Sequence, residues 1–203
     1  MNEINIELGI NHLCSVDEDV AEAVKLIGPP VPRVRPVGFE TFLNTIVSQQ
    51  ISTEAARTIM GRVKELLVET SAEKVLQTDT EELRSVGLSY RKIEYAKGLS
   101  EAVINGKLDF DALSKADTES AIEQITTLRG FGRWSAEIYL MFSLQRADIF
   151  PADDLALRVA LGRLKGMQEK PTPKQSREII EHWSPWRSVG SLFLWHYYRG
   201  APN

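Results

Sequence analysis

The chain has 203 residues, 43% of them hydrophobic and 26% charged, with a formal net charge of −4. This is the composition of a soluble globular protein, long enough to bury one good core or two small lobes. Its single cysteine, Cys14, excludes a disulfide framework, a cysteine-rich zinc site and a four-cysteine iron–sulfur cluster.

The three histidines, His12, His182 and His196, are widely spaced and form no metal-ligand pattern. No apolar run approaches the roughly 18–20 residues that cross a bilayer, so no membrane partner is expected. The N-terminus is acidic and lacks the positive charge of a signal peptide. An intracellular location follows, in the cytoplasm or nucleoid of a prokaryote or the nucleus of a eukaryote. The acids cluster: Glu3, Glu7, Asp17, Glu18, Asp19 and Glu22 open the chain, and Asp79, Glu81 and Glu82 form a second group. The negative balance weighs against tight nonspecific binding of nucleic acid but leaves room for a local basic face.

In chain order, Ile4–Ile10 is a weak strand candidate, the only one in the sequence. Residues 17–27 carry Val20, Ala23, Val24 and Ile27 at helical spacing. Pro29, Pro30, Pro32 and Pro36 then forbid a helix, and residues 1–35 read as an N-terminal arm with a Pro-rich strap against a body at 36–203. Residues 38–48 place Phe39, Phe42, Leu43, Ile46 and Val47 on one stripe. After Ser48-Gln49-Gln50-Ile51-Ser52 a second helix runs to about Leu67, with Ser52 as its N-cap. A short helix opens at Thr80 and stops near Gly87. Tyr90–Ile104 is a helix ended by Asn105-Gly106, Asp109–Leu113 a short turn or helix, and Thr118–Leu128 a helix. Trp134–Leu144 is apolar on most sides, as a central helix would be. Asp154–Leu164 follows. Thr172-Pro173 starts a helix reaching about Trp183, Ser184-Pro185 breaks it, and Trp186–Tyr198 is the last. The fold class is all-α, with roughly nine or ten helices.

The chemistry concentrates in Leu128-Arg129-Gly130-Phe131-Gly132-Arg133-Trp134 and in Asp153-Asp154 beyond it. Two glycines one residue apart between helices make a tight turn with free backbone N–H groups at a helix start, a site for a phosphate oxygen that needs no lysine. Carbonyls on the other side of the turn can face a cation. A lone Gly-x-Gly more commonly serves as an ordinary helix C-cap, and an aspartate before a helix is commonly its N-cap. The carboxylate pair close to a phosphate grip favours an enzyme acting on nucleic acid.

These residues resemble the helix-hairpin-helix DNA glycosylase superfamily over about Phe39 to Tyr198. The likeness rests on three stretches in order: the hairpin continuing into Gly-Arg-Trp-Ser-Ala (132–136), Pro-Ala-Asp-Asp-Leu (151–155) and Trp-Ser-Pro-Trp-Arg-Ser (183–188). Within the superfamily they are most similar to the alkylated-base branch, the 3-methyladenine DNA glycosylases of type II. The resemblance implies a two-lobed helical fold with its active-site cleft between the lobes, and double-stranded DNA containing damaged bases as the partner of a monomer. It makes Asp154 the catalytic acid with Asp153 beside it, and Trp134, Trp195 and Ile138 the walls of the base pocket. It places hairpin amides of Gly130 and Gly132, with Arg133, on a phosphate; Gln50 as the side chain inserted into the duplex; and Ser89-Tyr90 against the opposite strand. No organic cofactor is implied. A Na⁺ or K⁺ ion at the carbonyls of Thr126, Leu128 and Phe131 is. Arg91 and Arg187 are further candidates for phosphate contacts.

Two departures bear on the reading. Arg129 stands where the superfamily has a proline, and Ile138 where it has a pocket tyrosine, which opens the substrate range to deaminated or oxidised bases. Trp134 occupies the position where bifunctional relatives carry a lysine. Without an amine there, no Schiff base forms at that site, and hydrolysis alone is expected. A noncatalytic DNA-binding protein is the alternative from another class; it would have no use for Asp154.

Overall fold

A computed structural model describes residues 1–200. Among them are thirteen α-helices, one 3-10 turn and no strand. The helices are α1 (Glu3–Val16), α2 (Glu18–Ile27), α3 (Phe39–Ser48), α4 (Thr53–Leu67), α5 (Ala72–Gln77), α6 (Thr80–Ser85), α7 (Tyr90–Ile104), α8 (Phe110–Lys115), α9 (Thr118–Thr126), α10 (Arg133–Phe142), α11 (Leu155–Leu164), α12 (Pro173–Ile179) and α13 (Arg187–Gly200). The 3-10 turn is Glu181–Trp183. No described helix is long and apolar enough to cross a membrane.

Side-chain caps set most helix starts. The hydroxyls of Ser52, Ser71, Ser89 and Thr172, and the carboxylates of Asp17, Asp79, Asp109, Asp117 and Asp154, each accept a backbone N–H of the following first turn. Each such cap is worth about 1 kcal/mol. These signals are local, which is why the boundaries of α4, α7 and α11 agree with those read from periodicity.

Three segments differ from expectation. Ile4–Ile10 is not a strand but the body of α1. Its apolar residues at every second position mimic a strand, yet Ile6, Ile10 and Leu13 are buried on one helical face while Ile4 and Leu8 are exposed. Asn2 caps this helix by accepting the N–H of Asn5 at 2.8 Å. Helix α5, six residues long, is too short to announce itself by periodicity and rests on its Ser71 cap. The helix that begins at Pro173 stops at Ile179, and Glu181–Trp183 tightens into the 3-10 turn.

The chain divides into two compact units: Arg35–Ala136, and Met1–Val34 together with the chain from Glu137. The core of Arg35–Ala136 is aliphatic, with Leu43, Val47, Met60, Val63, Val75, Leu83, Leu88 and Ile93 from five helices and their loops. A cluster of rings extends it: Phe42 lies 5.6 Å from Phe110 and 5.2 Å from Phe131, centroid to centroid. The other unit packs α1, α2 and α11 with α13 around Leu13, Val20, Leu157, Leu161 and Phe193, all fully buried. Helix α1 meets α13 at Gly9, where a Cβ would stand 2.6 Å from a Val189 methyl; only the missing side chain allows that approach. In the Pro-rich strap, the Arg33 guanidinium lies 4.6 Å from the centre of the Phe142 ring.

Candidate active site

In Arg35–Ala136 the hairpin joins α9 to α10. The N–H of Leu128 donates to the carbonyl of Ile125 and that of Phe131 to the carbonyl of Leu128, each at 3.1 Å, closing the turn. Phe131 is buried against Phe42 and anchors the tip. Gly130 has φ +91°, and a Cβ on it would stand 2.4 Å from the Tyr95 ring. Both conformation and space therefore demand glycine at this position. Gly132 differs. A Cβ there would meet nothing within 4 Å, so its missing side chain leaves open room at the start of α10. The carbonyl of Gly132 accepts the N–H of Ala136, beginning the helix. Its first turn thus sets backbone N–H groups at a helix N-terminus, the end of a helix that favours an anion.

The two hairpin arginines are held by carboxylates. Arg133 makes a forked pair with Glu119, at 2.8 and 3.0 Å, across the hairpin, and Arg129 pairs with Glu94. Gln50 lies exposed just beyond α3, with φ +58°. Gln49, which sequence reasoning left without a role, donates its side-chain amide to the carbonyl of Gly130 at 2.7 Å. Ser89 caps α7, accepting the N–H of Lys92 at 3.3 Å. Exposed Tyr90 carries the Arg84 guanidinium 4.1 Å from its ring centre and donates its hydroxyl to Glu81 at 3.1 Å. Arg91 turns its Nε to the Tyr95 hydroxyl at 2.6 Å. Trp134, in the first turn of α10, is 44% exposed.

In the other unit Asp154 is the N-cap of α11. Its Oδ1 accepts the N–H of Leu157 at 3.0 Å and the indole N–H of Trp195 at 3.3 Å. Asp153 is exposed and takes no part in this cap. Trp195, half-buried on α13, lies 6.0 Å from the Phe142 ring. The carboxylate is thus held from its own helix and from a second one. Ile138 is buried on α10, and Glu137 beside it is a buried acid that sequence reasoning passed over.

The Trp-Ser-Pro-Trp-Arg-Ser stretch holds the loop that leads to Asp154. Arg187 grips Asp148 through Nε and a terminal nitrogen, both at 2.6 Å, and the Ser184 hydroxyl donates to the same carboxylate at 2.9 Å. Burial alone would raise the Asp148 carboxyl; these donors outweigh it and hold it below the usual carboxylate range. Ser188 donates its hydroxyl to the Arg146 carbonyl at 2.7 Å and accepts the N–H of Ile149 at 3.0 Å. Arg187, a candidate for phosphate contact by sequence, is occupied in this clamp. His196 is structural too, its Nε2 lying 3.0 Å from the Ile27 carbonyl at the end of α2.

Asp17 is the least expected residue of the unit. It belongs to the acidic run that opens the chain, yet its side chain is only 1% exposed. It accepts from the Lys165 ammonium at 2.6 and 2.8 Å, the Trp183 indole N–H at 2.7 Å, and lies 3.1 Å from His182 Nε2. Burial would raise its carboxyl, but these donors hold it below the ordinary range.

The chain thus carries a glycine hairpin at the start of α10 and a capped carboxylate backed by an indole at the start of α11. The HhH-GPD superfamily of base excision DNA repair proteins matches residues 43–185, and the chain belongs to it. It is 32% identical over 191 residues to DNA-3-methyladenine glycosylase 1 of Schizosaccharomyces pombe, covering 91% of this chain and 84% of that one. A solved structure of the S. pombe 3-methyladenine DNA glycosylase in complex with abasic DNA superposes with a TM-score of 0.81 at 31% identity, over 92% of this chain and 94% of that one. The structure of a DNA-3-methyladenine glycosidase from Bacillus halodurans gives 0.86 at 31% identity, over 95% and 89%.

Proposed function

We propose that this protein is a hydrolytic DNA glycosylase that removes alkylated purines of the 3-methyladenine and 7-methylguanine type from duplex DNA. The observation that carries this reading is the Asp154 carboxylate, fixed by the Leu157 amide and the Trp195 indole in a member of a base excision repair superfamily.

An alkylated purine carries positive charge and is already a good leaving group. The enzyme's task is to stabilise the sugar cation left behind and to bring water to C1′, as in other glycoside cleavages through an oxocarbenium-like state. A carboxylate held in one orientation serves both ends without reorganisation at the moment of bond breaking. The base must first leave the stack. Gln50 fills the gap it leaves, the amides of Gly130 and Gly132 hold a phosphate of the lesion strand, and Ser89 and Tyr90 meet the opposite strand. Exposed Trp134 gives the electron-poor ring a face to stack on, a preference of about 0.5–2 kcal/mol for a cation. So small a margin favours cationic bases broadly rather than one hydrogen-bond pattern. Buried Ile138 leaves that wall of the pocket without a hydroxyl, and Asp153 lies beside the acid. The carbonyls of Thr126, Leu128 and Phe131 are hard donors suited to Na⁺ or K⁺, which would add positive charge beside the gripped phosphate. Trp134 stands where a Schiff-base lysine would have to be, so the product is an intact abasic strand.

The test is release of methylated purines from duplex DNA. Wild type releases base, and Asp154→Asn slows release by about 100- to 1000-fold while still binding abasic duplex. Borohydride traps no covalent complex. Duplex binding without base release by wild type would overturn the proposal.

A further inference from the structure

We propose that Gln49 is a positioning residue that locks the Gln50 loop to the glycine hairpin, so that wedge insertion and phosphate grip occur as one step. The inference rests on the reading that Gln50 enters the duplex and that the hairpin amides hold a phosphate.

Gln49 and Gly130 are 81 positions apart in sequence, yet the Gln49 amide donates to the Gly130 carbonyl at 2.7 Å. The acceptor is immobile. Gly130 has no alternative conformation that keeps the turn, and the Tyr95 ring presses on its Cα face. The donor's own backbone is held as well. Its N–H donates to the Ile46 carbonyl at 3.3 Å, and the Lys92 ammonium donates to the adjacent Val47 carbonyl at 2.7 Å. Burial against that helix end lowers the Lys92 ammonium from its ordinary value, the mark of a cation drawn out of water to make the bond.

Gln50 follows directly, with φ +58° in the left-handed region. A left-handed backbone is disfavoured for a glutamine, and such a conformation persists only where its surroundings impose it. The neighbouring tie supplies that constraint. Without the Gln49 amide the loop relaxes toward negative φ, and the exposed Gln50 loses its fixed place beside the hairpin. Gln49 touches neither substrate nor reacting atoms; its contribution is to make the wedge stiff relative to the phosphate anchor.

The experiment uses a duplex with 2-aminopurine opposite a tetrahydrofuran abasic analogue, and needs no base release. Fluorescence of the 2-aminopurine reports displacement of the orphaned base, and anisotropy reports binding. Wild type gives a fluorescence rise at saturation. Gln49→Leu, and the isosteric non-donor Gln49→Glu as the second variant, lose most of that rise and bind about five- to tenfold more weakly, the net worth of one hydrogen bond. Gln50→Ala added to Gln49→Leu weakens binding by less than about twofold further, because the two act as a unit. Binding to single-stranded DNA, which needs no wedge, stays at wild-type level, whereas a folding defect would lower it too. A full fluorescence rise with Gln49→Leu, multiplicative effects of the two substitutions, or no rise with wild type would each overturn the coupling. Failure of wild type to release methylated bases would instead overturn the glycosylase reading and leave this result standing.

Discussion

In Arg35–Ala136 the residues that would meet DNA are presented outward. Gln50, Ser89, Tyr90, Gly132 and Trp134 are exposed, and the hairpin offers backbone amides rather than free cations, since Arg129 and Arg133 are paired. In the other unit the carboxylate is drawn in: Asp154 is half-buried and bonded to two donors, and the loop before it is clamped by Arg187, Ser184 and Ser188. The difference matches what each would do under the proposed function. Holding a phosphate backbone needs donors that reach solvent, and a helix start supplies them in an acidic chain. Stabilising a transient cation needs one charge in one orientation, with neighbours that do not move. Helix α10 begins in the first unit at Arg133 and ends in the second at Phe142.

If that division holds, substitutions in the two units should fail differently. On duplex binding the largest effect is expected at Gly130→Ala. A Cβ 2.4 Å from the Tyr95 ring, at φ +91°, costs about 1–3 kcal/mol and distorts the amides that follow. Thermal melting should fall, and binding to abasic duplex should weaken by at least tenfold. Unchanged binding would mean the hairpin is not the anchor.

Asp17→Asn should leave DNA binding intact and change stability alone. Because Asp17 is held below its unfolded value, its contribution is present above about pH 5 and is lost as pH falls through 4 and below. Thermal midpoints of wild type should therefore drop in that window, while those of Asp17→Asn, already lower at neutral pH by several degrees, should drop less. Parallel acid limbs for the two proteins would refute the role.

The smallest effect is expected from Trp195→Phe. It keeps a ring against Phe142 and removes only the N–H that donates to Asp154. Base release should slow about three- to tenfold, with KM unchanged. A change in KM alone would assign Trp195 to stacking and not to the carboxylate.

Much of this was legible one residue at a time. The all-α class, the caps at Ser52 and Asp154, the helix start at Thr172-Pro173, the hairpin glycines and the carboxylate after them all carry local signatures. So did the absence of a lysine at Trp134, because a residue type can be excluded without knowing its neighbours. Where sequence misled, the cause was again local. The alternation in Ile4–Ile10 fits a strand until a helical face at Ile6, Ile10 and Leu13 is buried, and α5 holds too few residues to show any period.

What the sequence by itself determined, then, was the kind of elements and which side chains are candidates for the chemistry, since helix periodicity, capping and ionisable side chains are properties of short stretches. Only the tertiary structure decided which polar residues are spent inside the protein. Asp17 belongs to an acidic run and is buried under Lys165, Trp183 and His182; Arg187 looked free and is clamped on Asp148; Gln49 looked like a loop residue and donates to Gly130. Each of these pairings joins positions tens of residues apart. A hydrogen bond of that kind depends on where folding brings the chain back to itself, which no local pattern records.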